Sequence, residues 1–146
     1  MTYDPRDTIG YRLGLLARHW RQEVDLAMRA LGMTEATWRP LLHLAQLGEA
    51  ARQKDLAESM GIDGSSLVRL LDHLEERGLI RRGNGSDRRT KSVCLTEAGG
   101  EAMAQARTVV RALERELLGG FSDAEAASLA HALEMIESAI AERRNR

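Results

Sequence analysis

Hydrophobic residues recur along most of this chain at helical spacing. Over residues 8–31, Ile9, Leu13, Leu16, Trp20, Val24, Ala27 and Leu31 fall three or four apart, which is one apolar stripe on one helix, and Gly32 ends it. Thr34 is the expected N-cap of a second helix. Met33 and Trp38 form its hydrophobic staple, and Trp38, Leu41, Leu42 and Ala45 its inner face, up to Gly48. Pro40 lies inside that segment, where it has no N–H to give and clashes one turn back, so a kink or a late start is expected. Gln53–Met60 reads as a short helix with Leu56, Ala57 and Met60 inward, broken by Gly61. Asp63 then caps a helix over 64–77, with Leu67, Leu70, Leu71 and Leu74 on one face and Gly78 as its stop. Helix, tight glycine-bearing turn, helix is the helix-turn-helix pattern.

The period then changes. Residues 79–82 and Lys91–Leu95 read as short strands around Gly83-Asn84-Gly85-Ser86-Asp87, a run of turn formers, and so predict a β-hairpin with a polar, basic tip. Thr96 caps a helix to about Leu118 whose stripe is Met103, Ala106, Val109 or Val110, Leu113 and Leu117. Gly119-Gly120 breaks it. Ser122 and Glu125 make a capping box for a last helix carrying Leu129, Leu133, Ile136 and Ile140. The order predicts a mostly helical α+β fold: a winged helix-turn-helix over 34–96, flanked by long helices in 1–33 and 97–146, all in one continuous domain. The outer stripes exceed what the small middle region covers, and a two-fold copy of the chain is the commonest cover.

Length and composition narrow the class. The chain has 146 residues, about one domain, with ordinary hydrophobic and charged content. Its one cysteine excludes an internal disulfide framework and fits a reducing compartment. Residues 1–10 are polar and do not read as a signal peptide, and no apolar run reaches the ~18–20 residues of a membrane span, so a cytoplasmic location is expected.

The charge distribution says more than the sum. Formal net charge is −1, yet 77–91 holds Arg77, Arg81, Arg82, Arg88, Arg89 and Lys91 against Asp87 alone. That segment is +5, which leaves −6 for the rest of the chain. In a helix-turn-helix the first turns of the second helix enter the major groove. There Ser65 and Ser66 can bond phosphates or base edges, and Arg69 can grip guanine with two donors, with His73 one turn further on. Arginines of the hairpin suit the narrow minor groove of A·T-rich DNA. The candidate DNA-binding set is therefore Ser65, Ser66, Arg69, His73, Arg82, Asp87, Arg88, Arg89 and Lys91, with Asp87 orienting Arg89 or Arg69. The competing reading is a solvated helix face beside a charged loop; the position of the basic hairpin directly after the helix-turn-helix favours double-stranded DNA.

Asp87-Arg88-Arg89, followed by Val93, Leu95-Thr96-Glu97 and Gly99, resembles the wing signature of the MarR family of bacterial transcription regulators. Leu67-Val68-Arg69, the run 74–80 and Trp38 are similar to its SlyA-type branch. The resemblance implies an obligate homodimer built from the first and last two helices, and DNA contact by the helix holding Ser65, Ser66 and Arg69. It also implies minor-groove insertion of Arg89 braced by Asp87, a palindromic operator, and release by a small effector, an aromatic acid or an acyl-CoA thioester. Pro40 departs from the pattern, since an ordinary helix residue is expected there. The family's ligand pocket lies between dimer region and DNA-binding lobes, which places Arg18, Trp20, Trp38, Arg39, Leu42 and His43 near it. Arg18 or Arg39 would meet a carboxylate or phosphate, whereas the bland alternative makes both tryptophans core and both arginines surface ion pairs.

Other chemistry is poorly represented. Cys94 lies on a strand, away from the first helix where the family's peroxide sensors carry their cysteine, and reads as a reduced structural thiol. His19, His43, His73 and His131 show no metal-ligand spacing, so no metal or cofactor is expected. No phosphate-binding glycine loop, nucleophile elbow or acid–base constellation points to an enzyme. The alternative function is a helical protein-interaction module using the same basic hairpin.

Overall fold

The computed structural model describes residues 4–84 and 89–146. Its elements are α1 (Arg6–Met28) with a 3₁₀ turn at Arg29–Leu31, α2 (Glu35–Leu47), β1 (Ala51–Arg52), α3 (Gln53–Met60) and α4 (Gly64–Glu76). They continue with β2 (Ile80–Asn84), β3 (Lys91–Leu95), α5 (Glu97–Leu118) and α6 (Asp123–Arg144). The chain divides into two units, Met1–Val110 and Arg111–Arg146. The fold is a mostly helical winged helix with long terminal helices, as the periodicities predict.

The core of the first unit is the meeting of α4's leucine face with its neighbours. Leu67, Leu71 and Leu74 are buried with Leu56 and Met60 of α3, Leu44 of α2, Ile80 of β2 and Val93 of β3. Burying each such side chain contributes roughly 1.5–3 kcal/mol, which sets the angle between α3 and α4. Asp63 caps α4, accepting the Ser66 backbone N–H at 2.8 Å.

Pro40 does not delay α2. The helix starts at Glu35 and runs through the proline, whose ring is buried. The first four N–H groups of a helix have no internal partner, so a proline in the second turn forfeits one bond, and its packing offsets that. Thr34 holds the N-cap position through its carbonyl, which accepts from Thr37 and Trp38, and not through its side chain.

The sheet differs from a simple hairpin. β1 adds a third strand in the order β1-β3-β2, pairing Ala51 with Val93 and Arg52 with Ser92. Two residues carry no readable alternation, so periodicity could not announce it. Gly83 and Asn84, expected in the turn, belong to β2 opposite Ser92 and Lys91. The Ser92 hydroxyl donates to the Gly83 carbonyl at 3.3 Å, holding the glycine in the ladder.

Thr96 joins the hairpin to α5. Its N–H donates to the Leu79 carbonyl, its hydroxyl donates to the Gly78 carbonyl at 2.6 Å, and the same oxygen accepts from Gly99 N–H at 3.0 Å. Gly99 passes so close that a Cβ there would sit 1.8 Å from the Leu79 carbonyl oxygen. In the second unit the expected capping box forms: Ser122 Oγ accepts from Glu125 N–H, and Ser122 N–H donates to Glu125 Oε2 at 2.8 Å. The Ser122 N–H, and after it the Ser122 side chain, hold the Glu125 carboxyl below the usual range. No helix of the described residues is long and apolar enough to cross a membrane.

Candidate nucleic-acid interface

α4 separates its residues by face. Leucines go inward, while Ser65, Ser66, Arg69 and His73 are exposed. Both serines are already engaged. The Ser65 hydroxyl donates to Asp63 Oδ1 at 2.5 Å and the Ser66 hydroxyl to Oδ2 at 2.8 Å. Their bonds, with that from Ser66 N–H, hold the Asp63 carboxyl far below its usual range, Ser65 contributing most. Each hydroxyl's proton is therefore spent within the cap, and its oxygen is left as an acceptor. A phosphate offers only acceptors, so the arrangement suits the amino groups of adenine or cytosine in the major groove instead.

The hairpin residues fall into two groups. Arg82 is bound to α4: its Nη2 lies 2.6 Å from both Glu75 Oε2 and Asp72 Oδ1, its Nε donates to Glu75 Oε2 at 3.0 Å, and its backbone N–H reaches Glu75 Oε1. The side-chain bonds from Arg82 pull the Glu75 carboxyl below its usual range and raise the guanidinium in return. With its cation compensated twice, Arg82 fits a brace between β2 and α4 better than a contact with DNA. Arg77 likewise donates to the buried Thr37 hydroxyl at 2.8 Å. Arg89 and Lys91 are exposed at the return of the hairpin. Asp87 and Arg88, the other two expected there, lie outside the described residues.

Of the six residues expected around a ligand, Arg18 and Trp20 lie on α1 and Trp38, Arg39, Leu42 and His43 on α2, where Arg39 and His43 both reach α3. Arg18 is exposed and Trp20 half-buried on α1. Trp38 is core, its indole N–H donating to Asp25 at 3.2 Å. Arg39 spans to α3, donating to the Met60 carbonyl at 2.8 Å, with Glu35 at 3.7 Å. His43 Nδ1 lies 2.7 Å from Ser59 Oγ; burial, then the nearby Arg39 charge, keep its pKa below normal. Leu42 is half-buried beside them. A cavity of about 490 Å³ opens behind the sheet, lined by Leu44, Val93, Leu95 and Met103, with Glu49, Arg107 and Cys94 among its walls. None of the six lines it. Its floor includes the α2–β1 turn, where Ala50 holds a left-handed φ of 52°. Three separate segments, 44–50, 93–95 and 103–107, meet there, and no single-segment pattern could disclose it. Among the described residues, no cluster of three or more His, Cys, Asp or Glu is placed to hold a metal ion.

The sequence model of the MarR family matches residues 31–90. The solved structure of a transcriptional regulator, PA3341, superposes with a TM-score of 0.82 at 36% identity, over 94% of this chain and 98% of that one. A MarR-family regulator from Rhodococcus sp. RHA1 gives 0.79 at 28% identity, over 92% and 96% of the two chains. CouR from Rhodococcus jostii RHA1, solved bound to p-coumaroyl-CoA, gives 0.77 at 29% identity, over 92% and 95%.

Proposed function

The chain belongs to the MarR family of transcriptional regulators, and we propose that it is a homodimeric repressor that reads a palindromic operator and is released by a small anionic effector. The observation that carries this reading is the exposed face of α4, with Arg69 and His73 opposite the buried leucines, followed directly by a hairpin with Arg89 and Lys91 at its return. Arg69 and His73 read base edges, Ser65 and Ser66 accept from them, and Arg89 and Lys91, together with Arg88, meet the backbone and minor groove. Asp87 braces Arg89. Arg82 is a positioning residue that sets the hairpin against α4. Residues 34–96 form the DNA-binding region, and 1–33 with 97–146 form the dimer. Bare apolar positions on α1 (Ile9, Leu16) and on α6 (Leu129, Leu133, Ile140) support a second copy as their cover. A two-fold dimer places half-sites about one helical turn apart. A regulator of this kind works where the chromosome is, in the cytoplasm.

For the effector, the apolar cavity behind the sheet suits an aromatic or acyl group, with Arg107 meeting a carboxylate or phosphate. The coumaroyl thioester carried by CouR supports that class. A ligand acts there by favouring one arrangement of the DNA-binding region over another.

The test is a fluorescence-anisotropy titration with duplex from the region upstream of the chain's own gene. Tight, sequence-selective binding with a steep salt slope is expected. Arg89→Ala should weaken it by about 1–3 kcal/mol while leaving the oligomeric state intact, and unchanged affinity in that variant would remove the hairpin from the interface. Thiol labelling of Cys94, the chain's one cysteine, reports the cavity: p-coumaroyl-CoA bound there should slow the labelling.

A further inference from the structure

A second basic surface lies at the junction of β1 and α3, apart from the recognition face of α4. The β1–β3 register sets Arg52 opposite Ser92. That pairing brings Thr90 and Lys91, where the hairpin re-enters the sheet, beside Gln53 and Lys54 in the first turn of α3. With Arg52 and Arg89 they line an open groove of about 290 Å³. Four of the six lining residues are cations. Arg52 is answered by Asp55, which accepts from its Nε at 2.8 Å. Lys54 and Lys91 are exposed and form no ion pair among the described residues.

We propose that this groove seats a backbone phosphate of the bound duplex, a third contact in addition to α4 and the hairpin tip, with Lys54 and Lys91 as its charges. The proposal rests on the DNA-binding reading of the chain. Two ammonium groups held from two different elements converge on one space, as a phosphate with several free oxygens requires. Lysine is a mobile point charge that fixes no plane, so it suits phosphate and not the bidentate reading of a base. The remaining walls are Thr90 and Gln53, whose hydroxyl and amide can add donors to a phosphate. Continuity with the hairpin selects the duplex as the source of the phosphate, because Arg89 and Lys91 belong to both surfaces. The contact carries no sequence information; it fixes how the winged helix is seated on the DNA.

Lys54→Gln tests this, because Lys91 is also assigned to the hairpin. Binding is measured against salt for the upstream duplex and for a scrambled duplex of equal length. Arg144→Gln, an equal change of charge at the end of α6, is the control for long-range electrostatics. Lys54→Gln should weaken both duplexes by the same factor, roughly three- to tenfold at moderate salt, and lower the salt slope by about one. If Lys54→Gln matches Arg144→Gln while the parent protein binds DNA, the groove is not a contact and the DNA-binding reading stands. If the loss falls on the upstream duplex alone, the groove reads bases and the backbone assignment is overturned. If the parent protein binds neither duplex at low salt, the DNA-binding reading fails and takes the groove with it. Replacing chloride by inorganic phosphate at equal ionic strength should change nothing. Competition by phosphate that Lys54→Gln abolishes would assign the groove to a free anion and overturn the proposal.

Discussion

α4 and α6 both carry large apolar residues three and four apart, and these end in opposite situations. On α4, Leu67 is 1% exposed and Leu71 and Leu74 are fully buried. On α6, Leu129 and Leu133 are 42% and 40% exposed and Ile140 is 51% exposed. The better-capped helix is nevertheless α6, with a complete capping box and Arg143 and Arg144 in its last turn. Caps and helix dipole start and orient a helix, but in proteins most helical stability comes from packing of an apolar face. The winged-helix region buries its own apolar positions, while the large apolar residues of α6 stay exposed.

The sharpest way to break that contrast is to cut a leucine from each helix. Leu71→Ala should lower stability by about 2–5 kcal/mol, read as a shift of the urea midpoint, because the cavity opens in a core shared by α3, α4 and the sheet. Leu133→Glu should leave the winged-helix region folded and raise the concentration at which the dimer dissociates, read by sedimentation. A variant that sediments as the parent does would show that a second copy does not cover α6. Next in size is Gly99→Ala. The added methyl meets backbone and not a flexible side chain, so Leu79 or α5 has to shift, at about 1–3 kcal/mol. Its stability loss is expected in the same cooperative transition as that of Leu71→Ala.

Arg82→Gln is smaller and bears on what a sequence can disclose. The pairing Arg82–Glu75–Asp72 is largely solvent-facing, so its removal should cost about 1 kcal/mol of stability or less. It should also weaken DNA binding by freeing two carboxylates beside the hairpin, and equal affinity would return Arg82 to the class of unremarkable surface charges. In the sequence Arg82 is indistinguishable from its basic neighbours, because a charge shows no partner until the turn at Gly78 folds β2 back onto α4. The same limit hid the cavity, whose walls come from three segments. What was legible depended on local rules. The α3 bounds, the β3 bounds, the Asp63 cap and the Ser122–Glu125 box follow from short-range spacing and side-chain chemistry. β1 was invisible because two residues have no period, and Asn84 was misplaced because a turn-forming residue can sit in a strand when its partner, here Lys91, completes the ladder.

The finest comparison is between the two capping carboxylates, Asp63 on α4 and Glu125 on α6. Both are held below their ordinary values by hydrogen bonds to the ionised form. A carboxyl depressed in the folded state adds stability at pH values above its unfolded value of about 4, and that contribution is lost progressively as the pH falls toward the folded value. Asparagine caps a helix about as well as aspartate, so Asp63→Asn removes the charge with little change in the cap itself. The variant should be less stable than the parent at pH 7, and the gap should narrow as the pH drops below about 5, read by urea unfolding at stepped pH. Glu125→Gln should show the same sign. Asp63 collects two hydroxyls and a backbone N–H, whereas Glu125 is held by Ser122 alone, so the narrowing should be steeper for Asp63. A gap at Asp63 that stays constant from neutral pH into the acid range would mean that the serines stabilise α4 through geometry alone, independent of the charge they surround.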